Sequence, residues 1–140
     1  MAITYEWRGE FRTAEANALH AEAFETRVCT DEEWDWRKQV EAHSLGWVTA
    51  RDDDGEGDNF VGFVNVLWDG LVHAWLQDVM VAGRARRRGV GTQLVAIARD
   101  HTRAAGCEWL HVDFDDHLRD FYFGACGFTP TNGGLLNLKL

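Results

Sequence analysis

At 140 residues, with 46% hydrophobic content and seven tryptophans, the chain can bury one sizeable core and is too apolar for intrinsic disorder. A net charge of −9 argues against general nucleic-acid binding and mildly favours cationic partners. No run is long enough to span a bilayer, and the opening MAITYEWRGEF lacks the continuous apolar core of a signal peptide. Cys29, Cys107 and Cys126 are odd in number and lack metal-type spacing, which suits reduced thiols in a cytoplasmic protein with no metal site.

The pattern predicts a first strand over 3–7 and a helix from Thr13, as its cap, through Phe24. A second helical stretch follows Asp31 in DEEWDWRKQVEAH, with acids leading and bases following, as the helix dipole favours. Its Trp34 and Val40 read as core. Residues 46–51 (GWVTAR) and 60–67 (FVGFVNVL) read as a hairpin joined by DDDGEGDN. That joint lacks the spacing and final glutamate of a calcium loop, so it reads as a solvated turn. Asp69-Gly70 is a tight-turn signal into a strand over 73–81. A helix runs from Val90 to about Ala105 and ends at Gly106, a C′ glycine. EWLHVDF (108–114) alternates as a strand, and Asp115 or Asp116 would cap a short helix containing Phe121 to Phe123. After Pro130, residues 135–140 (LLNLKL) read as a closing strand. No repeat, linker or low-complexity segment interrupts 1–140, read as a single domain.

The most informative stretch joins the strand ending at Val81 to the helix opening at Val90. Between them lie Arg84, Arg86, Arg87, Arg88, Gly89 and Gly91. Backbone N–H groups at a helix start carry unpaired positive partial charge and suit phosphate. Glycine lets the main chain approach a ligand closely, and guanidinium groups match phosphate oxygens. In an acidic chain, four arginines within five residues are a local anomaly that fits an anion site.

The order Arg86-x-x-Gly89-x-Gly91, after a strand and before a helix, resembles the acyl-coenzyme A pyrophosphate loop of the GNAT superfamily of N-acetyltransferases. Val79-Met80-Val81 stands where that family keeps its fourth strand, and FYFGACGF (121–128) resembles its aromatic helix followed by Gly-Phe. Gly83 and Ala85 depart from the proline and tyrosine many members carry. The resemblance implies an α+β fold, a splayed mixed sheet flanked by helices, in the element order β-α-α-β-β-β-α-β-α-β. It implies acetyl-CoA as acyl donor, held by Val79, Met80 and Val81 and by the loop Arg86, Arg87, Arg88, Gly89, Val90, Gly91 and Thr92, with Asp116 and Phe123 contributing. Direct attack by a primary amine of a small molecule or peptide on the thioester is implied, with a general base, an oxyanion donor from the strand near position 80, and an acid for the thiolate. Paired GNAT domains are common, so a homodimer is within the implied partners.

The acid position stays open. Counting back from Gly127-Phe128, Phe123 holds the family tyrosine's place. Counting forward from Asp115 as a helix cap brings Tyr122 there instead, with one extra residue before Gly127. For the base, Asp78 leads, because alternation puts it and Met80 opposite Val79 and Val81; His111, Asp113 and Asp115 compete. Trp34, Trp36 and His43 fall where the family closes over its acceptor, so they read equally as pocket or core. Cys126 reads as a small core residue, with no His–Asp arrangement to make it a nucleophile. A dinucleotide site is a weaker reading, since Leu94 stands where its fingerprint needs a small residue. A non-catalytic acyl-CoA sensor is the alternative of another class.

Overall fold

A computed structural model describes residues 2–55 and 59–139. Five strands form one sheet in the order β1-β2-β3-β4-β5: β1 (Ile3–Trp7), β2 (Ser44–Asp52), β3 (Phe60–Trp68), β4 (His73–Val81) and β5 (Trp109–His111). The first four pair antiparallel, and β4 pairs with β5 in parallel. Helices α1 (Thr13–Phe24) and α2 (Trp36–His43) cover one face; α3 (Val90–Ala104) covers the other. This is the mixed sheet flanked by helices that the sequence implied.

Thr13 opens α1 rather than capping it. Arg12 is the flanking residue, its amide donating to Glu15 Oε1 at 2.9 Å. The Thr13 hydroxyl instead accepts the Arg37 amide at 3.2 Å, so it serves the start of α2. That helix begins five residues after Asp31. The acids meant for its first turn are used in a separate turn, where Glu33 Oε1 accepts the Thr30 amide at 2.9 Å. Asp35 then caps α2 by accepting from the Lys38 amide at 3.1 Å. Trp36 is core, 2% exposed, with its indole N–H donating to Asn17 Oδ1 at 2.8 Å.

The buried positions of α3 are Val90, Leu94, Val95, Ala98 and Thr102, a 3.6-residue period that lays one stripe on the sheet. Phe63 heads the opposite face, edge-on to Trp36 and Phe11. Gly106, at φ +97, ends α3 as its pattern predicted. Of the turn between β2 and β3, residues 56–58 lie outside the described residues. Asp53 accepts the Thr4 hydroxyl at 2.6 Å, so it ties the turn to β1.

The sheet departs from regular pairing toward its β4–β5 end, although Val79 and Val81 still face opposite Met80. β4 carries a bulge: Gln77 pairs with Asn65 and Met80 with Phe63, so two residues face one, and Asp78 takes φ +56. Simple alternation therefore does not run the length of β4. Pairing with β5 reaches only from His73↔Trp109 to Trp75↔His111. After Trp75, ahead of the bulge, the two strands no longer pair, which leaves Val112 to Phe114 without a ladder and shortens β5 from the seven residues expected to three. The closing strand is also absent. Residues 129–139 have no regular structure and are exposed throughout, with Leu140 outside the described residues.

Candidate active site

The parted strands open a cleft of roughly 410 Å³. Val79 and Val81 form one wall, Leu118, Phe121 and Tyr122 the other, and the loop from Ala85 into Thr92 closes one end. Each wall has a local cause. The β4 bulge turns Val79 and Val81 toward α3; the partner of Val81 on β3, Gly62, faces Val90 and Leu94. The facing wall comes from a π-helical turn over Asp120–Ala125, where the Cys126 amide donates to the Phe121 carbonyl at 2.9 Å.

The loop end is shaped for an anion. Gly89, at φ +74, is the N-cap of α3 and offers no side chain to its amides. The first α-type bond of α3 runs from the Gln93 amide to the Gly89 carbonyl, so the amides of Val90, Gly91 and Thr92 have no partner within the helix. A Cβ on Gly91 would stand 3.2 Å from Phe121 Cζ, so only glycine keeps this corner clear without moving the ring. Arg86, Arg87 and Arg88 are exposed and form no ion pair among the described residues. Arg87 sits at φ +65, a conformation costly for a residue with a Cβ. The Gly83 amide donates to the Glu22 carboxylate, which fastens the loop to α1.

At the inner end, Tyr122 is 6% exposed and stacks on Phe114 at 4.6 Å between ring centroids. Burial first, then the charges of Cys126, Asp113 and Asp78, push its hydroxyl up to about 12. The hydroxyl therefore holds its proton at neutral pH. Burial likewise raises the pKa of Asp78, partly opposed by His20. That histidine lies on α1 between the rings of Phe24, at 4.8 Å, and Trp36, at 5.7 Å.

A family model described as Acetyltransferase (GNAT) family matches residues 4–128. The chain belongs to the GNAT acetyltransferase family. Solved structures share its fold at low sequence identity. A Trypanosoma brucei acetyltransferase is 15% identical, with 98% of this chain and 100% of that one covered at a TM-score of 0.78. Glucosamine-6-phosphate N-acetyltransferase from Arabidopsis thaliana is 18% identical, with 97% and 99% covered at 0.73. An aminoglycoside N-acetyltransferase solved in complex with CoA is 18% identical, with 99% and 95% covered at 0.75. No curated protein matches the sequence.

In this GNAT chain the cleft gathers Val79, Val81, Arg86, Arg87, Gly89, Val90, Gly91, Thr92 and Tyr122 of the residues named from sequence. Others lie elsewhere. Asp78 is half-buried, feels the charge of His20 on α1 and is not among the residues that line the cleft. The Met80 side chain is fully buried on the α1 side of the sheet, opposite Phe63, and Arg88 is exposed and not part of the lining. Asp116 is exposed beside Arg119 at 3.9 Å, and the 3₁₀ turn it opens has no side-chain cap from Asp115. Phe123 packs edge-on to Phe114 at 5.1 Å, under the Arg119 guanidinium. His111 is bonded to His73, nitrogen to nitrogen at 2.9 Å, while Asp113 and Asp115 are exposed. Trp34 is 55% exposed and His43 ends α2 at the surface. Sequence reading did not assign Leu118, Phe121 or Ala85 to the lining, nor place His20 near Asp78. The run FYF signalled an aromatic wall without saying which ring faces inward. Among the described residues no His, Cys, Asp and Glu group of three or more could hold a metal. No helix among them is long and apolar enough to cross a membrane.

Proposed function

We propose that this GNAT chain is an N-acetyltransferase that moves the acetyl group of acetyl-CoA onto a primary amine of a small molecule or peptide. The observation that carries this reading is the cleft itself, which runs from the uncapped amides of α3 to the buried hydroxyl of Tyr122. The amides of Val90 to Thr92 and the guanidinium groups of Arg86 and Arg87 would hold the donor's diphosphate. Its pantetheine arm fits along β4 past Gln77, where the main chain on the β5 side lacks a strand partner. The donor supplies an activated thioester.

The chain's own groups supply the proton transfers. Asp78, made more basic by burial, takes the proton of the incoming ammonium so that its nitrogen can attack. Main-chain N–H groups of β4 near Met80 steady the oxyanion. Tyr122, still protonated at neutral pH, delivers its proton to the departing sulfur.

The test is twofold. Acetyl-CoA should raise the melting temperature where NAD does not. A panel of primary amines should release free thiol from acetyl-CoA in step with acetylated amine. No binding would end the reading, and binding without turnover on a broad panel would make the chain an acyl-CoA sensor.

A further inference from the structure

Outside the cleft lining, the fold brings together two histidines that stand 38 positions apart in the chain. His73 opens β4 and His111 closes β5. The parallel register sets His73 beside Trp109 and Trp75 beside His111, so the two imidazoles lie diagonally on one face of the sheet. Their nearest nitrogens, Nδ1 of His73 and Nε2 of His111, are 2.9 Å apart. Trp75 stacks on His111 at 5.2 Å and 19°, and its ring lies 6.2 Å from that of His73. Both histidines are half-buried, and neither ring makes another hydrogen bond among the described residues.

We propose that His73 and His111 bind one divalent transition-metal ion whose neighbouring ligands meet at right angles, nickel(II) or copper(II), and that this ion bridges β4 to β5. The spacing argues for it. Metal–imidazole bonds run about 2.0–2.1 Å, so nitrogens at the observed 2.9 Å subtend about 90° at a shared ion. That is the angle of an octahedral or square ion, whereas a tetrahedral one would spread the nitrogens to about 3.3 Å. The protons argue the same way. With each ring's proton on its outer nitrogen, facing water, two lone pairs meet, and a cation between them turns that repulsion into two bonds. Trp75, stacked on His111, limits the rotation of its imidazole and so pre-sets the pair.

No third protein ligand stands with them among the described residues, so water fills the remaining positions, as half-exposed rings allow. Carboxylates supply an attractive field instead. Asp69 Oδ1 accepts the His73 amide at 3.2 Å, and Glu108 and Asp113 flank β5 in a chain of net charge −9. The position gives the bridge a consequence. Trp75↔His111 is the last rung of the β4–β5 ladder, and the strands do not pair beyond it. An ion held there fastens the apex of the cleft across two strands that share a short ladder. Neither histidine lines the cleft, so the ion adds a tie to the fold without entering the space between Val79 and Tyr122.

Nickel(II) chloride is the probe, because copper(II) would also oxidise the free thiols of Cys29, Cys107 and Cys126. Calorimetry on the full, untagged, metal-free chain at about pH 7.5, where imidazole is mostly neutral, should show one nickel ion per chain. The melting temperature should rise with nickel. His73→Gln and His111→Gln should each weaken binding roughly ten-fold or more, since even an outer-shell partner is worth that much. His117→Gln, on an exposed 3₁₀ turn, should bind as wild type does. In the unsubstituted chain, six-coordinate nickel is paramagnetic and should broaden the imidazole signals of His73 and His111 before those of any other histidine, which covers a variant that fails to fold. Three results would overturn the proposal: no heat with nickel, nickel held at full strength by both histidine variants, or zinc bound more tightly than nickel. The second would place the ion elsewhere on the chain, and the third would replace the right-angled pair with a tetrahedral one.

Discussion

The Cys126 amide bonds to the Phe121 carbonyl five residues back, and that single extra residue decides which ring enters the cleft. In an unbroken α-helix one residue is worth about 100° of rotation. The π turn takes up the residue that two ways of counting left over, so Tyr122 lines the cleft while Phe123 packs on Phe114. Tyr122→Phe keeps the ring and the stacking on Phe114 and removes the proton. Its kcat with a reactive amine should fall roughly ten-fold or more, in the range usual for acid–base groups, while the affinity for acetyl-CoA is unchanged. An unaltered kcat in steady-state assays would take Tyr122 out of the mechanism.

Asp78 couples activity to stability with opposite signs. Its folded pKa is raised, chiefly by burial, so the folded state prefers the protonated form. The stabilisation linked to that proton is complete below the unfolded carboxylate value of about 3.9 and is lost as pH rises through the folded value. Ionising this half-buried carboxyl in the native chain therefore costs stability. Asp78→Asn should abolish most of the turnover yet raise the melting temperature at pH 7, with the gain shrinking toward zero near pH 3. A variant less stable than wild type at pH 7 would show that the carboxylate is held by compensating contacts.

Arg86 and Arg87 are judged by which donor they discriminate. Both line the cleft near the free amides of α3 and form no ion pair among the described residues. Arg86→Glu/Arg87→Glu should weaken acetyl-CoA binding by one to two orders of magnitude, about 1.4 to 2.8 kcal/mol. It should leave turnover of an acetyl-pantetheine thioester, which lacks the diphosphate, near the wild-type rate. Equal losses with both donors in parallel assays would mean that the loop shapes the cleft without gripping phosphate.

How far the sequence carries the fold depends on the range of the determining contacts. β1 and β4 keep their predicted limits because period-two patterning bounded by turn residues is local information. The phosphate-type loop is equally local, since Gly89 and Gly91 mark a positive φ and a close approach within five residues of each other. The bulge at Asp78 is not legible, because it is defined by the register of β3 against β4, where Phe63 and Asn65 pair across a gap of unequal length. From it follows the orientation of the cleft wall. Thr13 fails for a similar reason: a hydroxyl suited to its own helix finds the Arg37 amide 24 residues away.

The pair Glu15–Arg51 should set the acid limit of the fold. Glu15 is 7% exposed; Arg51 donates to both its oxygens, at 2.9 and 3.0 Å, and the Arg12 amide adds a third bond. The Arg51 bonds foremost hold its carboxyl below the usual range, against the opposing effect of burial. A lowered folded pKa contributes stability that is present above the unfolded value of about 4.3 and is lost as pH falls through the folded one. Glu15→Gln keeps the shape and removes the charge, weakening the two bonds that the half-buried Arg51 guanidinium donates to it. Urea unfolding at pH 7 should show a loss of about 1–3 kcal/mol, the cost of a charged hydrogen bond broken in a partly buried place. As the pH falls through the lowered folded value, wild type and variant should converge because Glu15 itself takes up a proton. A deficit that does not shrink at all as the pH is lowered to the acid limit of the folded state would mean that packing around the side chain, and not its charge, holds β2 to α1.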